Sequence, residues 1–348
     1  MSWPRPGPTW YTVGVDFYRR LWFRLAVSGG LLGLLVWRVD IGEALETLAE
    51  GRYVYVTAAL PIYSLSKLVD AYRWRLMLAN VGSAPVLGLF GVYLVSNMAN
   101  NLLPLRVGDA IRVQVPARRW GLPRAGLTAT VFVTESLVDG VAFVILLLIA
   151  LAFLDVPGLP LGLVWALIGA VSVGLVLAVA ASRLELRPGW QGRGWAVNLP
   201  ATLRGLLARR LPDFLAGLAV LRDVPLAART MTATIVAWLL ETAVFWLFGL
   251  TFGLELGLAD YLVIMVTANM IVAMPVAPSN IGPYEVAMAE VVVLLGVESS
   301  VAGGFAIGSH LLNILWVGAS GLTAIWLMRL SFEDVFFLRP REEREPAP

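Results

Sequence analysis

Two short stretches of this sequence gather groups that bind anions or carry protons at places where a helix must break. Residues 100–112 read Asn-Asn-Leu-Leu-Pro-Leu-Arg-Val-Gly-Asp-Ala-Ile-Arg. A proline, a glycine and two amides thus accompany two guanidiniums. Directly after the break, Arg106 can hold a phosphate through two parallel N–H bonds, and free backbone N–H groups at a helix start add anion affinity. Pairing with Asp109 or Asp139 is its alternative role. The second stretch, residues 275–283, reads Pro-Val-Ala-Pro-Ser-Asn-Ile-Gly-Pro and is followed by Glu285 and Glu290. Asn100, Asn101, Arg106, Arg112, Ser279, Asn280 and Glu285 form the candidate substrate-binding set. Glu285, three residues after Gly282, also suits the cap of a returning helix, since anions favour that end.

A second group of residues can balance charge or carry a coupling ion. Glu135 and Asp139 are four apart and share a helix face. Two such acids in an apolar segment must be paired or protonated, and Arg106 and Arg112 are the available partners. Asp109, Glu241 and His310 complete this group. His310 has Asn313 one turn on and can titrate near neutral pH; a histidine hydrogen-bonded inside a helix bundle is the alternative. With no cysteine and one histidine, the sequence offers no metal site. It shows no phosphate-binding glycine loop, zincin pair or nucleophile elbow, so no catalytic residue and no cofactor are expected.

The elements that position these residues are membrane helices. Apolar residues make up 59% of the 348, charged residues only 14%, and the mean hydropathy is +0.78. Soluble domains carry about a quarter of their residues as charges, so lipid is the solvent. Spans are expected near 21–37, 53–70, 125–154, 161–181, 230–253 and 303–328, with two interrupted stretches at 86–103 and 261–296. The arginines of short connections set the sides. Residues 104–124 carry five arginines and 182–229 eight, whereas 254–260 has Glu255 and Asp260 and no base. Basic flanks on both sides of 86–103 require it to enter and leave from the cytoplasm. By the mirror argument 261–296 enters and leaves from outside. Irregular backbone at membrane depth needs protein or water to satisfy it.

The expected fold is therefore an all-α polytopic membrane protein with about six full spans plus two re-entrant helical hairpins. A cytoplasmic segment (1–20) precedes a first membrane repeat (21–154). After an external loop (155–160) comes a second repeat (161–328), then a cytoplasmic tail (329–348). The repeats have the same element order and opposite orientation, as in many secondary transporters. Within the basic segment 182–229, residues 199–222 suit an amphipathic interfacial helix, with Pro212 as a point of interruption; an ordinary cytoplasmic linker is the alternative.

At Asn101 to Arg112, at Glu135 with Asp139, and from Pro275 to Glu285 followed by Gly296-Val297, the chain resembles the flippase-like membrane domain of lysylphosphatidylglycerol synthases. The resemblance covers about residues 20–330. Two departures are Ser136, where the family often has arginine, and Ser279-Asn280-Ile281-Gly282 in place of a glycine-rich turn. The resemblance implies lipid translocation, without the aminoacyl-transferase half. The leading expectation is a transporter or flippase for a polar or anionic phospholipid, glycolipid or isoprenoid lipid, and not an enzyme. The alternatives are an intramembrane transferase, with Glu135 and Asp139 as acid or base, and an accessory scaffold for a lipid-modifying enzyme. Expected partners are membrane lipids and a separate lipid-synthesis enzyme, with no nucleic acid; an oligomer is compatible. The expected location is the inner (cytoplasmic) membrane, with both termini cytoplasmic.

Overall fold

In hydrocarbon a backbone must satisfy its own N–H and C=O groups, and long apolar runs do so as helices. The computed structural model describes residues 41–103, 106–154, 161–183, 200–273 and 277–330, with Gly30 and Gly33. All regular structure among them is helical. The expected span at 21–37, the loop 155–160 and the terminal segments lie almost wholly outside the described residues.

Helix α1 (Ile41–Ala49) precedes α2 (Val54–Met77), α3 (Val86–Leu102) and α4 (Val107–Trp120). Helix α5 runs over Arg124–Phe153 with a π-turn at Val133–Val138. Then follow α6 (Leu161–Ser182), α7 (Ala201–Leu218), α8 (Val224–Thr251), α9 (Leu258–Ala273), α10 (Pro283–Leu294) and α11 (Ser299–Met328). Four helical segments among the described residues are long and apolar enough to cross a membrane: Arg124–Phe153, Val164–Ser182, Val224–Thr251 and Ser299–Met328. The 24-residue α2 reaches about 36 Å at ~1.5 Å per residue, but four charged residues lower its hydropathy.

Several boundaries differ from expectation. The span expected at 53–70 continues to Met77, so Arg73 is not a loop residue; it is fully buried. Arg112 likewise lies in a helix and is buried. Residues 86–103 hold one helix, and the chain returns in α4 rather than within that stretch. The two ends of the α3–α4 pair lie together: a Cβ on Gly88 would press on Trp120, and one on Gly126 would meet Val81. Close packing near the break depends on Gly108, where a Cβ would overlap the Ser96 carbonyl and Asn100.

Helix α2 packs along α8, α3 lies between α4 and α11, and α10 packs on α11. The turn at Pro278–Asn280, within the second break, touches α3. Thus the second break lies against the first pair. Helix α7 continues through Pro212. Its Leu215 and Leu218 are buried in a cluster with Met77, Ala129 and Val133, so this segment packs on α5.

Backbone strain marks both breaks. Arg106 (φ 52°), Ser279 (φ 49°) and Asn280 (φ 52°) adopt left-handed backbone, which side chains with a Cβ rarely do. Such strain persists only where surrounding structure enforces it, and it concentrates at functional positions.

Candidate functional site

Between the breaks lies a cavity of about 160 Å³. Helix α2 supplies Tyr63 and Lys67, and α3 supplies Tyr93, Asn97, Asn100 and Asn101. Arg106 and Arg112 enter from the first break and α4, and Glu135, Asp139 and Phe143 from α5. Trp238, Glu241 and Phe245 come from α8, Asn269 from α9, Tyr284 from α10, and His310 and Asn313 from α11. This mixture of aromatic walls and convergent polar groups suits a ligand with a polar end.

The first break builds a clamp of charges. Gly108 N–H donates to Asn100 Oδ1 at 2.7 Å, and Asn100 Nδ2 donates to Asp109 Oδ1 at 3.0 Å. Asp109 Oδ2 then receives Arg106 Nε at 2.9 Å. Arg106 Nη2 reaches Glu135 Oε2 at 3.0 Å, while Glu135 Oε1 pairs with Arg112 Nη1. The Arg106 side chain is 28% exposed, whereas that of Arg112 is 3% exposed. Arg112 is also stacked against Trp74 and Tyr93, its guanidinium carbon 4.9 and 4.5 Å from their ring centres. Its Nε and Nη2 have no hydrogen-bond partner among the described residues.

A second network crosses from α8 to α5 through α2. Lys67 pairs with Glu241, and its Nζ is 3.1 Å from Asp70 Oδ2. Asp70 Oδ1 is 3.0 Å from Arg73 Nη2, and Arg73 pairs with Asp139. Trp238 Nε1 donates to Asp139 Oδ1 at 3.1 Å. Tyr63, Tyr93 and Trp238 surround the Lys67 ammonium at 5.1–5.9 Å from their ring centres. Charges in lipid are tolerated when paired and turned inward, and these are.

The two acids of α5 therefore address different partners. Glu135 lies within the π-turn and meets Arg106 and Arg112; Asp139, at its end, meets Arg73 and Trp238. Such turns interrupt helices frequently at functional positions. Glu241, which has no close partner in sequence, is held by Lys67 and Asn269.

Near the second break Glu285 accepts from Gly282 N–H at 2.6 Å and from His310 Nδ1 at 2.6 Å. His310 stacks on Tyr284 with ring centres 4.1 Å apart. Glu285 thus caps α10, and His310 is hydrogen-bonded within the bundle. Ser279, Asn280 and Glu285 do not line the cavity; Asn100, Asn101, Arg106, Arg112, Glu135, Asp139, Glu241 and His310 do, and Asp109 is joined to it through Arg106. Asn280 instead donates to Val272 O at 3.4 Å. Sequence reasoning missed Lys67, Asp70 and Arg73 as a unit. Their i, i+3, i+6 spacing in an apolar segment was the available signal, since such positions share a helix face. Among the described residues no group of three or more histidines or acids is arranged to hold a metal.

The chain is similar to two curated proteins. Over 122 residues it is 30% identical to the protein named glycosyltransferase AglD of Haloferax volcanii, covering 33% of this chain and 19% of that protein. Over 88 residues it is 28% identical to a UPF0104 membrane protein of Methanothermobacter thermautotrophicus, covering 25% of this chain and 26% of the relative. The aligned parts thus span about a fifth and a quarter of those relatives. The family model described as lysylphosphatidylglycerol synthase TM region matches residues 21–321, and with that extent of agreement the chain belongs to this family of multi-pass membrane proteins.

Proposed function

We propose that this protein moves a polar lipid between leaflets, with an anionic headgroup held in the cavity by Arg112 and Arg106. The observation that carries the reading is the state of Arg112. It is buried on the cavity wall, committed to Glu135 through one nitrogen and, among the described residues, unpartnered at two others. A guanidinium with spare, fixed N–H groups in a water-poor site suits a phosphate oxygen. The matching order of the two helix breaks is consistent with two inverted repeats, each with a re-entrant pair. On the arginine distribution, the protein would lie in the cytoplasmic membrane with both termini inside.

The test is lipid turnover in vesicles holding the purified chain and fluorescent phosphatidylglycerol, scored by protection from an external quencher. Wild type is expected to expose or protect label faster than empty vesicles. Arg112→Lys, which keeps charge but loses the planar fork, is expected to slow this about tenfold, equivalent to ~1.4 kcal/mol of transition-state stabilisation. Vesicles in which wild type is no faster than lipid alone would sink the reading.

A second reading, an intramembrane transferase acting on a lipid-linked substrate, is favoured by one feature. His310 is oriented by Glu285 through Nδ1, lines the cavity, and has no partner at Nε2 among the described residues, an arrangement suited to a general base. A new lipid product formed only when an activated sugar donor is added would move this reading ahead.

A further inference from the structure

The charges linking α2, α5 and α8 do not balance. Ion pairs run from Glu241 to Lys67, on to Asp70, to Arg73 and to Asp139. The signs alternate and both ends are acids, so three carboxylates face two cations. None of the five side chains is more than 9% exposed. The neighbouring clamp is neutral, with Arg106 and Arg112 against Asp109 and Glu135. One negative charge is therefore left over among the described groups, in surroundings where an unpaired charge is strongly unfavourable. A proton on one of the three acids removes it.

The hydrogen bonds distinguish the acids. Asp70 lies between two cations and is stabilised as an anion by both charges: Lys67 is hydrogen-bonded to Oδ2, and Arg73 Nη2 is 3.0 Å from Oδ1, which has no hydrogen-bond partner among the described residues. Glu241 receives Lys67, Asn269 Nδ2 at 3.3 Å and Ser66 Oγ at 3.5 Å. Asp139 is different: Arg73 and Trp238 both donate to Oδ1, while Oδ2 has only Arg73 Nη2 at 3.5 Å. Its own helix adds Glu135 one turn away, whose charge opposes a second one.

The remaining groups around Asp139 do not relieve this. Arg112 is engaged by Glu135, and Tyr93 accepts from Arg73 Nη2 at 3.4 Å. Thr234 of α8 shares Arg73 Nη1 at 3.3 Å. Helix α6, which packs on Gly140 through Val171, has no ionisable residue. His310 lines the same cavity but is hydrogen-bonded to Glu285.

We infer that Asp139 is a proton-binding site of the cavity, holding one proton on Oδ2, and that this proton and an anionic headgroup bind cooperatively. The protonation stands on geometry alone; its coupling to a headgroup rests on the reading of Arg112 given above. The coupling is electrostatic. A headgroup on Arg112 brings negative charge into a cavity already one charge in excess, and Arg73, Tyr93 and Arg112 connect the two places by contact. Linkage is reciprocal, so whatever the anion adds to proton affinity the proton adds to anion affinity. The proton comes from water and returns to it, with no covalent step.

Two measurements on the full chain in lipid test the two halves separately. Infrared difference spectra between about pH 5 and 8 should show the carbonyl band of a buried protonated carboxylic acid. That band should be absent in Asp139→Asn and should move in frequency in Asp139→Glu, which keeps three acids against two cations. An unshifted band in Asp139→Glu, or no band in wild type, overturns the assignment even if Asp139→Asn fails to fold. Binding of short-chain phosphatidylglycerol should weaken by up to about tenfold per pH unit as pH rises through the titration, with no such slope in Asp139→Asn or, if that variant fails to fold, in Asp139→Ser. A pH-independent wild-type affinity overturns the coupling. Absence of lipid turnover in vesicles alongside a normal band and slope would instead defeat the transport reading and leave the proton site intact.

Discussion

Glu135 accepts ion pairs from both Arg106 and Arg112, the two guanidiniums that follow the first helix break. One carboxylate thereby fixes the return of α4 against α5. Among the described residues it also leaves Arg112 Nε and Nη2 without a hydrogen-bond partner. A headgroup entering the cavity would meet a guanidinium that is already oriented, so little ordering is needed on binding.

Arg106 and Arg118 lie on the same return path, yet only Arg106 lines the cavity. Arg106→Ala is expected to lower the initial rate of lipid turnover in vesicles by tenfold or more, and Arg118→Ala by less than threefold, in keeping with charge-assisted bonds worth ~1.5–3 kcal/mol. Equal losses would remove the special role of the break.

Replacing Glu135 leaves Arg112 without its acid and Arg106 with Asp109 alone. Glu135→Ala should therefore destabilise the protein by about 3 kcal/mol, the scale for breaking a buried pair. Glu135→Gln should cost less, because an amide oxygen still accepts from Arg106 and Arg112. Thermal unfolding of both variants in the same detergent gives the order, and a larger loss for glutamine would contradict the pairing.

Lys67 and Glu241 join α2 to α8 across 174 positions of sequence. Lys67→Met alone is expected to lower stability by about 3–5 kcal/mol, since it leaves Glu241 buried without its cation, and Glu241→Met by less, since Lys67 keeps Asp70. The double variant should recover much of that loss, giving a coupling energy of ~1–3 kcal/mol in a double-mutant cycle. Additive losses would show that the two groups do not interact.

Glu298 caps α11 outside the apolar span, accepting from Ser300 N at 2.9 Å and Val301 N at 3.2 Å. The Ser300 N–H, first among its partners, holds the carboxyl below its ordinary range. A lowered folded-state value means the stabilisation is full above the unfolded value of about 4.3 and is lost as pH falls through the folded one. Glu298→Ala should cost at most about 1 kcal/mol at neutral pH, since the cap is exposed and screened. The difference from wild type should shrink below pH ~4; a difference independent of pH would assign the loss to packing.

The membrane class, the helical architecture, the two breaks and the residues of the first clamp were legible in the sequence. They follow from local causes: apolar run length, proline and glycine placement, and acids one turn apart. Glu285 as a cap was legible for the same reason, because Gly282 and Glu285 lie within one turn. What hydropathy obscured was α2. Its charges shortened the apparent span, and Arg73 read as a basic flank although the fold buries it completely. Only the tertiary structure brought Lys67 to Glu241 and Arg73 to Asp139, and it excluded Ser279, Asn280 and Glu285 from the cavity wall. Sequence spacing specifies which side chains share a helix face. Which face of another helix they meet depends on how the helices pack, and in lipid the pairing of buried charge across helices has no counterpart in local sequence.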